Sequence, residues 1–113
     1  WDGIQAYCDS KTLLTALTLG LARRWPDVVC HAVDPGWVPT RMGGADAPDE
    51  LELGHPTQVW LASSDDPAAL ETGGYWFHME RLAPLAIVTD HSFQDRLIDR
   101  LETLTGITLP EAP

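Results

Sequence analysis

The chain has 113 residues, with seven basic side chains against seventeen acidic ones for a net charge of −10, and 44% of its residues are apolar. That length suits one domain with a modest core, and that apolar share excludes a wholly disordered chain. The negative balance repels phosphate backbones and anionic lipid, which argues against nucleic acid or a membrane as partner. No apolar run approaches the roughly eighteen residues needed to span a bilayer. Cys8 and Cys30 show no CxxC spacing, so neither a disulfide framework nor a zinc site is indicated and a reduced, cytoplasmic chain is expected. His31, His55, His78 and His91 form no HxH or HxxxH pattern, and no metal is expected.

The sequence opens at Trp1 rather than Met and enters a helical pattern almost at once, as a piece of a longer chain would. From Tyr7 to about Trp25, Leu13, Leu17 and Leu21 form one stripe, and Leu14, Ala16, Leu19 and Ala22 spread apolar surface around the helix. Pro26 and Asp27 stop it. Val28 to Val33 is a short, nearly continuous apolar run of the kind buried on both faces of a parallel sheet, ended by Asp34, Pro35 and Gly36. Arg41 to Gly54 has glycines, a proline and carboxylates without a period, and is expected to be an irregular loop or lid with one helical turn at most.

Pro56 opens a short helix through Val59, Trp60 and Leu61 that breaks at Ser63 to Pro67. Gly73 and Gly74 lead into an aromatic strand, Tyr75 to Phe77. Arg81 to Asp90 reads as loop because of Pro84, and Ser92 with Asp95 reads as a capping box for a last helix through Phe93, Leu97, Leu101 and Leu104 to Gly106. The order helix, strand, loop, helix, strand, helix is an α/β alternation. Two strands make too narrow a sheet for this much apolar helix surface, so further packing elements are expected from outside the chain.

Two constellations carry chemistry. Tyr7 and Lys11 are four residues apart, hence one turn apart on one helix face. A phenol with a cation one turn away, near a helix N-terminus, favours its phenolate and can exchange a proton with an alcohol or alkoxide. The same spacing also occurs as a plain amphipathic pair. Asp34-Pro35-Gly36-Trp37-Val38-Pro39-Thr40 follows the buried strand directly, where ligands bind in open α/β sheets. Gly36 removes a side chain that would block a flat ring, the prolines expose backbone polar groups suited to a planar carboxamide, and the Thr40 hydroxyl can donate or accept. A simple strand-ending turn would use the same residues. Asp49, Glu50 and Glu52 are read as a solvated acidic loop.

Together these segments resemble the C-terminal half of a short-chain dehydrogenase/reductase. Tyr7-Cys8-Asp9-Ser10-Lys11 matches that family's YxxxK motif, and Pro35 to Thr40 matches its PG motif ending in threonine. The resemblance extends through the stretch from Leu61 to Ala68 and the strand at Gly73 to Trp76, which is essentially the whole chain. It implies an α/β fold, the C-terminal part of a Rossmann-like doubly wound parallel sheet. It implies an NAD(P)-dependent oxidoreductase that moves a hydride between a nicotinamide and a carbonyl or secondary alcohol.

On that resemblance Tyr7 is the general acid/base, and Lys11 lowers its pKa and holds the nicotinamide ribose. Pro35, Gly36 and Val38 lie against the nicotinamide, Thr40 lies near its carboxamide or phosphates, and Arg41 to Gly54 covers a small-molecule substrate with Trp37 and Met42 as lining. The family's glycine-rich TGxxxGxG turn, its serine before the tyrosine and its NAD-versus-NADP selector have no counterpart in these 113 residues. The chain is therefore expected to be a fragment, residues 1–113 of a single domain, lacking the dinucleotide-binding half. The competing expectation is a non-catalytic truncated remnant or interaction module that binds no cofactor. A dehydratase or epimerase on the same scaffold would share the YxxxK motif. The Tyr7–Trp25 helix offers a surface for a second copy of the chain.

Overall fold

A computed structural model describes residues 1–112. Helix α1, Gly3–Arg24, starts because the Asp2 side chain accepts from the backbone N–H groups of Ile4 and Gln5 at 3.0 and 3.1 Å. It closes on Arg23 and Arg24, cations that suit the negative end of a helix. Strand β1, His31–Asp34, follows, then a single 3-10 turn at Leu51–Gly54 and helices α2, Pro56–Ser63, and α3, Pro67–Leu70. Strands β2, Gly74–Phe77, and β3, Glu80–Leu82, precede helices α4, Ala86–Thr89, and α5, His91–Thr105, which ends at Gly106.

The sheet order is β1-β2-β3, with β1 and β2 parallel from His31 opposite Gly74 to Asp34 opposite Phe77, and β2 and β3 antiparallel with Phe77 opposite Glu80. α1 packs on both α4 and α5, and Ala16, Leu19 and Val88 form the buried centre with Phe93 and Leu97 against it. The buried Gln94 stitches the layer: its amide N–H donates to the Val88 carbonyl at 2.8 Å and its oxygen accepts from Arg23 Nε at 3.2 Å. Arg24 reaches Asp95 at 3.1 Å, and Arg23 pairs with the same carboxylate. Their two guanidinium groups, through hydrogen bonds first and charge second, hold the Asp95 carboxyl below its ordinary range.

Under β2, the His31 ring accepts at Nδ1 from the Gly74 N–H and from Trp76 Nε1, at 3.2 and 3.3 Å, while Nε2 lies 2.8 Å from the Ala69 carbonyl. Those partners assign the proton to Nε2. The strand histidine thus packs edge-on against Trp76 and finds backbone partners. Trp60 from α2 covers Trp76 edge-on at 5.0 Å between ring centroids.

Several expectations need correction. The strand expected over Val28–Val33 is only His31–Asp34, because the Thr72 hydroxyl, not a strand ladder, satisfies the backbone at Val28 and Cys30; it is half-buried throughout rather than buried on both faces. The stretch Arg81–Asp90 is not a loop: its start belongs to β3, and α4 begins two residues after Pro84. The helix that follows is capped by Asp90, which accepts from the Phe93 N–H at 2.7 Å; the Ser92 hydroxyl instead pairs with Arg96, and Asp95 is taken by the two arginines. The fold is mixed α/β with a small three-stranded sheet, partly antiparallel.

Candidate functional site

Tyr7 lies on the fifth residue of α1, whose start at Gly3 puts it beyond the first turn, where the helix-end field has already faded. Its side chain is half exposed, and its hydroxyl makes no hydrogen bond with the described residues. The Lys11 ammonium sits over the Tyr7 ring, 5.4 Å from its centroid, which is cation–π distance. The two side chains therefore share one helix face, as their spacing requires.

The corner after β1 is built by side chains. Asp34 Oδ1 accepts from the Gly36 N–H at 2.9 Å, closing a local turn, and Asp49 Oδ2 accepts from the Trp37 N–H at 2.6 Å. Gly36 is left-handed at φ +84°, and a Cβ there would lie 2.5 Å from His78 Nε2 and 2.7 Å from Asp49 Oδ2. The space freed by this glycine is thus filled by the protein's own side chains. His78 Nε2 also lies 3.2 Å from the Pro35 carbonyl.

The loop beyond the corner is folded tightly. Thr40 N–H donates to the Val38 carbonyl at 2.7 Å, the Thr40 hydroxyl accepts from the Gly43 N–H at 3.1 Å, and Trp37 Nε1 donates to the Gly43 carbonyl at 2.7 Å. Gly43 admits no side chain, since a Cβ would meet the Val38 carbonyl oxygen at 2.0 Å. The Thr40 hydroxyl is therefore committed as an acceptor within its own turn.

A cleft of about 920 Å³ opens between α1 and this corner. It brings Tyr7 together with Pro35, Gly36, Val38 and Thr40, which follow it by twenty-eight residues or more in sequence. Trp37 and Met42 also line it, as do Cys8 and Phe77. Lys11 does not: it lines a neighbouring cleft of about 280 Å³ with Tyr75. The Tyr75 hydroxyl donates to Asp34 Oδ2 at 3.4 Å, and burial first, then the Asp34 charge and that hydrogen bond, push its pKa above the ordinary phenol value.

Two residues that hold the corner escaped the sequence reading. Asp49, read there as part of a solvated loop, anchors Trp37. His78 sits in the two-residue reversal between β2 and β3, where it and Met79 have φ +44° and +69°. Such a turn is ordinarily marked by Asn-Gly, so His-Met gave no signal. The reversal is tethered twice, by the His78 ring at Pro35 and by the Met79 N–H, which donates to the buried Thr57 hydroxyl at 2.9 Å. Among the described residues no cluster of three or more His, Cys, Asp or Glu could hold a metal, and no helix is long and apolar enough to cross a membrane.

Against known proteins, the chain is 41% identical over 111 residues to a short-chain dehydrogenase of Gibberella zeae, covering 97% of this chain and 42% of that one. It is 37% identical over 106 residues to a short-chain dehydrogenase of Penicillium rubens, covering 93% of this chain and 41% of the relative. A protein of Streptomyces sp. strain C5 bearing the name daunorubicin C-13 ketoreductase is 39% identical over 93 residues, 73% of this chain and 31% of that one. The chain is thus similar, along nearly its whole length, to members of the short-chain dehydrogenase/reductase family. It spans less than half the length of the curated relatives it matches. No family model matches the chain, and no solved structure does.

Proposed function

We propose that the chain supplies the proton-transfer side of an NAD(P)-dependent oxidoreductase acting on a carbonyl or secondary alcohol, with Tyr7 as the general acid/base. The observation that carries this is the shared cleft, in which the Tyr7 phenol and the proline-glycine corner face one space although the sequence separates them. The nicotinamide end of the cofactor suits that space: Pro35 and Val38 give apolar surface, and the Tyr7 hydroxyl is not engaged elsewhere among the described residues. The pyrophosphate end has no TGxxxGxG turn among these residues, so its holder must come from elsewhere in a doubly wound, Rossmann-like sheet of which residues 1–113 would be the C-terminal part. Bound there, a nicotinamide would supply or accept the hydride.

The chain's own part is proton handling and positioning. In the reducing direction Tyr7 Oη gives its proton to the carbonyl oxygen as negative charge develops on it, and in the oxidising direction it takes the alcohol proton. Lys11, one turn along, keeps positive charge beside the ring and has N–H donors left for ribose hydroxyls. Pro35, Gly36 and Val38 set the height of the cleft floor, and Thr40 holds the loop that ends it. The ketoreductase name of the Streptomyces relative supports a ketone as the oxidised partner. Unpaired Cys8 and Cys30 agree with a reducing cytoplasm, and exposed Leu13 and Leu14 on α1 give apolar surface for a second copy of the chain.

The test uses the whole natural polypeptide that carries these residues. Consumption of NADH or NADPH with a panel of ketones is expected, Tyr7→Phe is expected to lower turnover by ~10²-fold or more, and cofactor affinity is expected to hold. Unchanged turnover in Tyr7→Phe would refute the assignment, as would failure of the wild-type protein to bind either cofactor.

A further inference from the structure

We propose that this cleft selects bulky, uncharged, aromatic carbonyl compounds and rejects anionic ones, with Trp37 as the chief specificity-determining side chain and Met42 as its adaptable neighbour. The proposal deepens the oxidoreductase reading and rests on it for the turnover of such compounds, but not for their binding.

Charge is the first argument. Among the described residues the cleft lining contains no lysine, arginine or histidine, and the one carboxylate there, Asp34, already accepts from the Gly36 N–H and from the Tyr75 hydroxyl. Lys11, the nearest cation on α1, lines the neighbouring cleft and lies over the ring of Tyr7. A carboxylate or phosphate entering this space would shed water and meet no cation on the lining itself, in a chain of net charge −10. A 2-oxo acid or a phosphorylated ketone is therefore disfavoured at the entrance and again inside.

Size and shape are the second. About 920 Å³ lies at the upper end of what ligand pockets offer, and leaves room for a bulky substrate beside a nicotinamide ring. Beside Tyr7, Asp34 and Thr40, its walls include the apolar Ile4, Trp37, Val38, Met42 and Phe77. Trp37 is 61% and Met42 81% exposed, large apolar groups in water beside the proposed proton donor. Exposed apolar patches mark surfaces that a ligand or other protein covers, and this one lines a cleft.

Rigidity is the third argument, and it separates the two side chains. Trp37 is held at both ends, its backbone N–H by Asp49 at 2.6 Å and its indole Nε1 by the Gly43 carbonyl at 2.7 Å. The ring plane is set before any ligand arrives, so stacking an aromatic ketone on it costs little ordering. Met42 has no such tie among the described residues, and its flexible thioether can follow the outline of different ring systems. The structure thus pairs a fixed aromatic wall with a compliant edge.

The test measures binding first, by isothermal titration calorimetry on the whole natural polypeptide, with acetylnaphthalene, a ring-carboxylated acetylnaphthalene and pyruvate as probes. Acetylnaphthalene is expected to bind about tenfold or more tightly than its carboxylated analogue, and pyruvate not to saturate. Trp37→Ala is expected to weaken acetylnaphthalene about tenfold and Trp37→Phe to recover most of that loss, a rescue that global unfolding would not produce. Equal or tighter binding of the carboxylated probe overturns the proposal, as does a Trp37→Ala protein that remains folded and binds acetylnaphthalene unchanged. Turnover separates the two readings. Selective binding without cofactor consumption on any ketone sinks the oxidoreductase assignment and leaves this one standing, whereas activity confined to 2-oxo acids does the reverse.

Discussion

Gly36→Ala isolates the contribution of the corner to stability. The backbone there is left-handed at φ +84°, a region that costs an L-residue about 1 kcal/mol or more. The new methyl would lie 2.5 Å from His78 Nε2 and 2.7 Å from Asp49 Oδ2, too close for either to stay. Both are ends of side chains and can swing away, but doing so gives up the His78 contact with the Pro35 carbonyl and the Asp49 bond to the Trp37 N–H, each worth about 1 kcal/mol. The expected loss is therefore about 3 kcal/mol, more than a hundredfold in the folded-to-unfolded ratio. Equilibrium urea denaturation of the whole natural polypeptide reads it directly. In a His78→Ala, Asp49→Ala background the obstructing atoms are gone, and the same substitution is expected to cost only the backbone share, about 1 kcal/mol. A full penalty that persists in that background would show that the two side chains do not govern the site, and a stability unchanged by Gly36→Ala would refute the reasoning altogether.

Asp95→Asn bears on the α1–α5 contact. Because its two arginines hold the Asp95 carboxyl low in the folded state, the unfolded chain takes up that proton first on acidification. The contribution is complete above the ordinary carboxylate value and is lost as pH falls through the depressed folded one. Thermal unfolding followed from neutral to acidic pH is expected to show a shallower decline in Asp95→Asn than in the wild type, and parallel curves would contradict this. Tyr75→Phe tests the half-buried phenol. The sequence has two tyrosines, and Tyr75, raised by burial and by Asp34, is expected to ionise above the ordinary phenol range. Its stabilising share persists below the unfolded value and is lost as pH rises through the folded one, so an ultraviolet titration should lose its most alkaline step in the variant.

Much of this architecture was legible from periodicity. α1 and α5 carry long apolar repeats, the aromatic strand stands between glycines and a short reversal, and the Asp34-Pro35-Gly36 corner announces itself. β3 was not legible, because Glu80-Arg81-Leu82 has no strand pattern and pairs only because β2 offers it an edge. The cap of α5 was misplaced because Asp90 and Ser92 are both good starters, and the choice was made by tertiary contacts: Asp95 is drawn off to Arg23 and Arg24. Tyr7 and the corner, singled out in the sequence, share one cleft while Lys11 lines the next, and the clamp of Asp49 and His78 was not legible, since it joins three segments that no local spacing relates. Likewise, Gly36 was read as making room for a ring, whereas the room its hydrogen leaves is taken by those two side chains.

The reversal at His78 and Met79 has a broader meaning for how this chain tolerates change. A glycine-containing turn would hold its shape unaided and let the hairpin drift independently of its surroundings. Here the unusual backbone is kept in place by a carbonyl contributed by Pro35 and a hydroxyl contributed by Thr57, so hairpin, corner and the start of α2 behave as one interlocked fastening. Replacement of His78-Met79 by Asn-Gly would make the hairpin more comfortable and at the same time release it from the Pro35 corner, leaving the N–H at position 79 on Thr57 as its one remaining fastening.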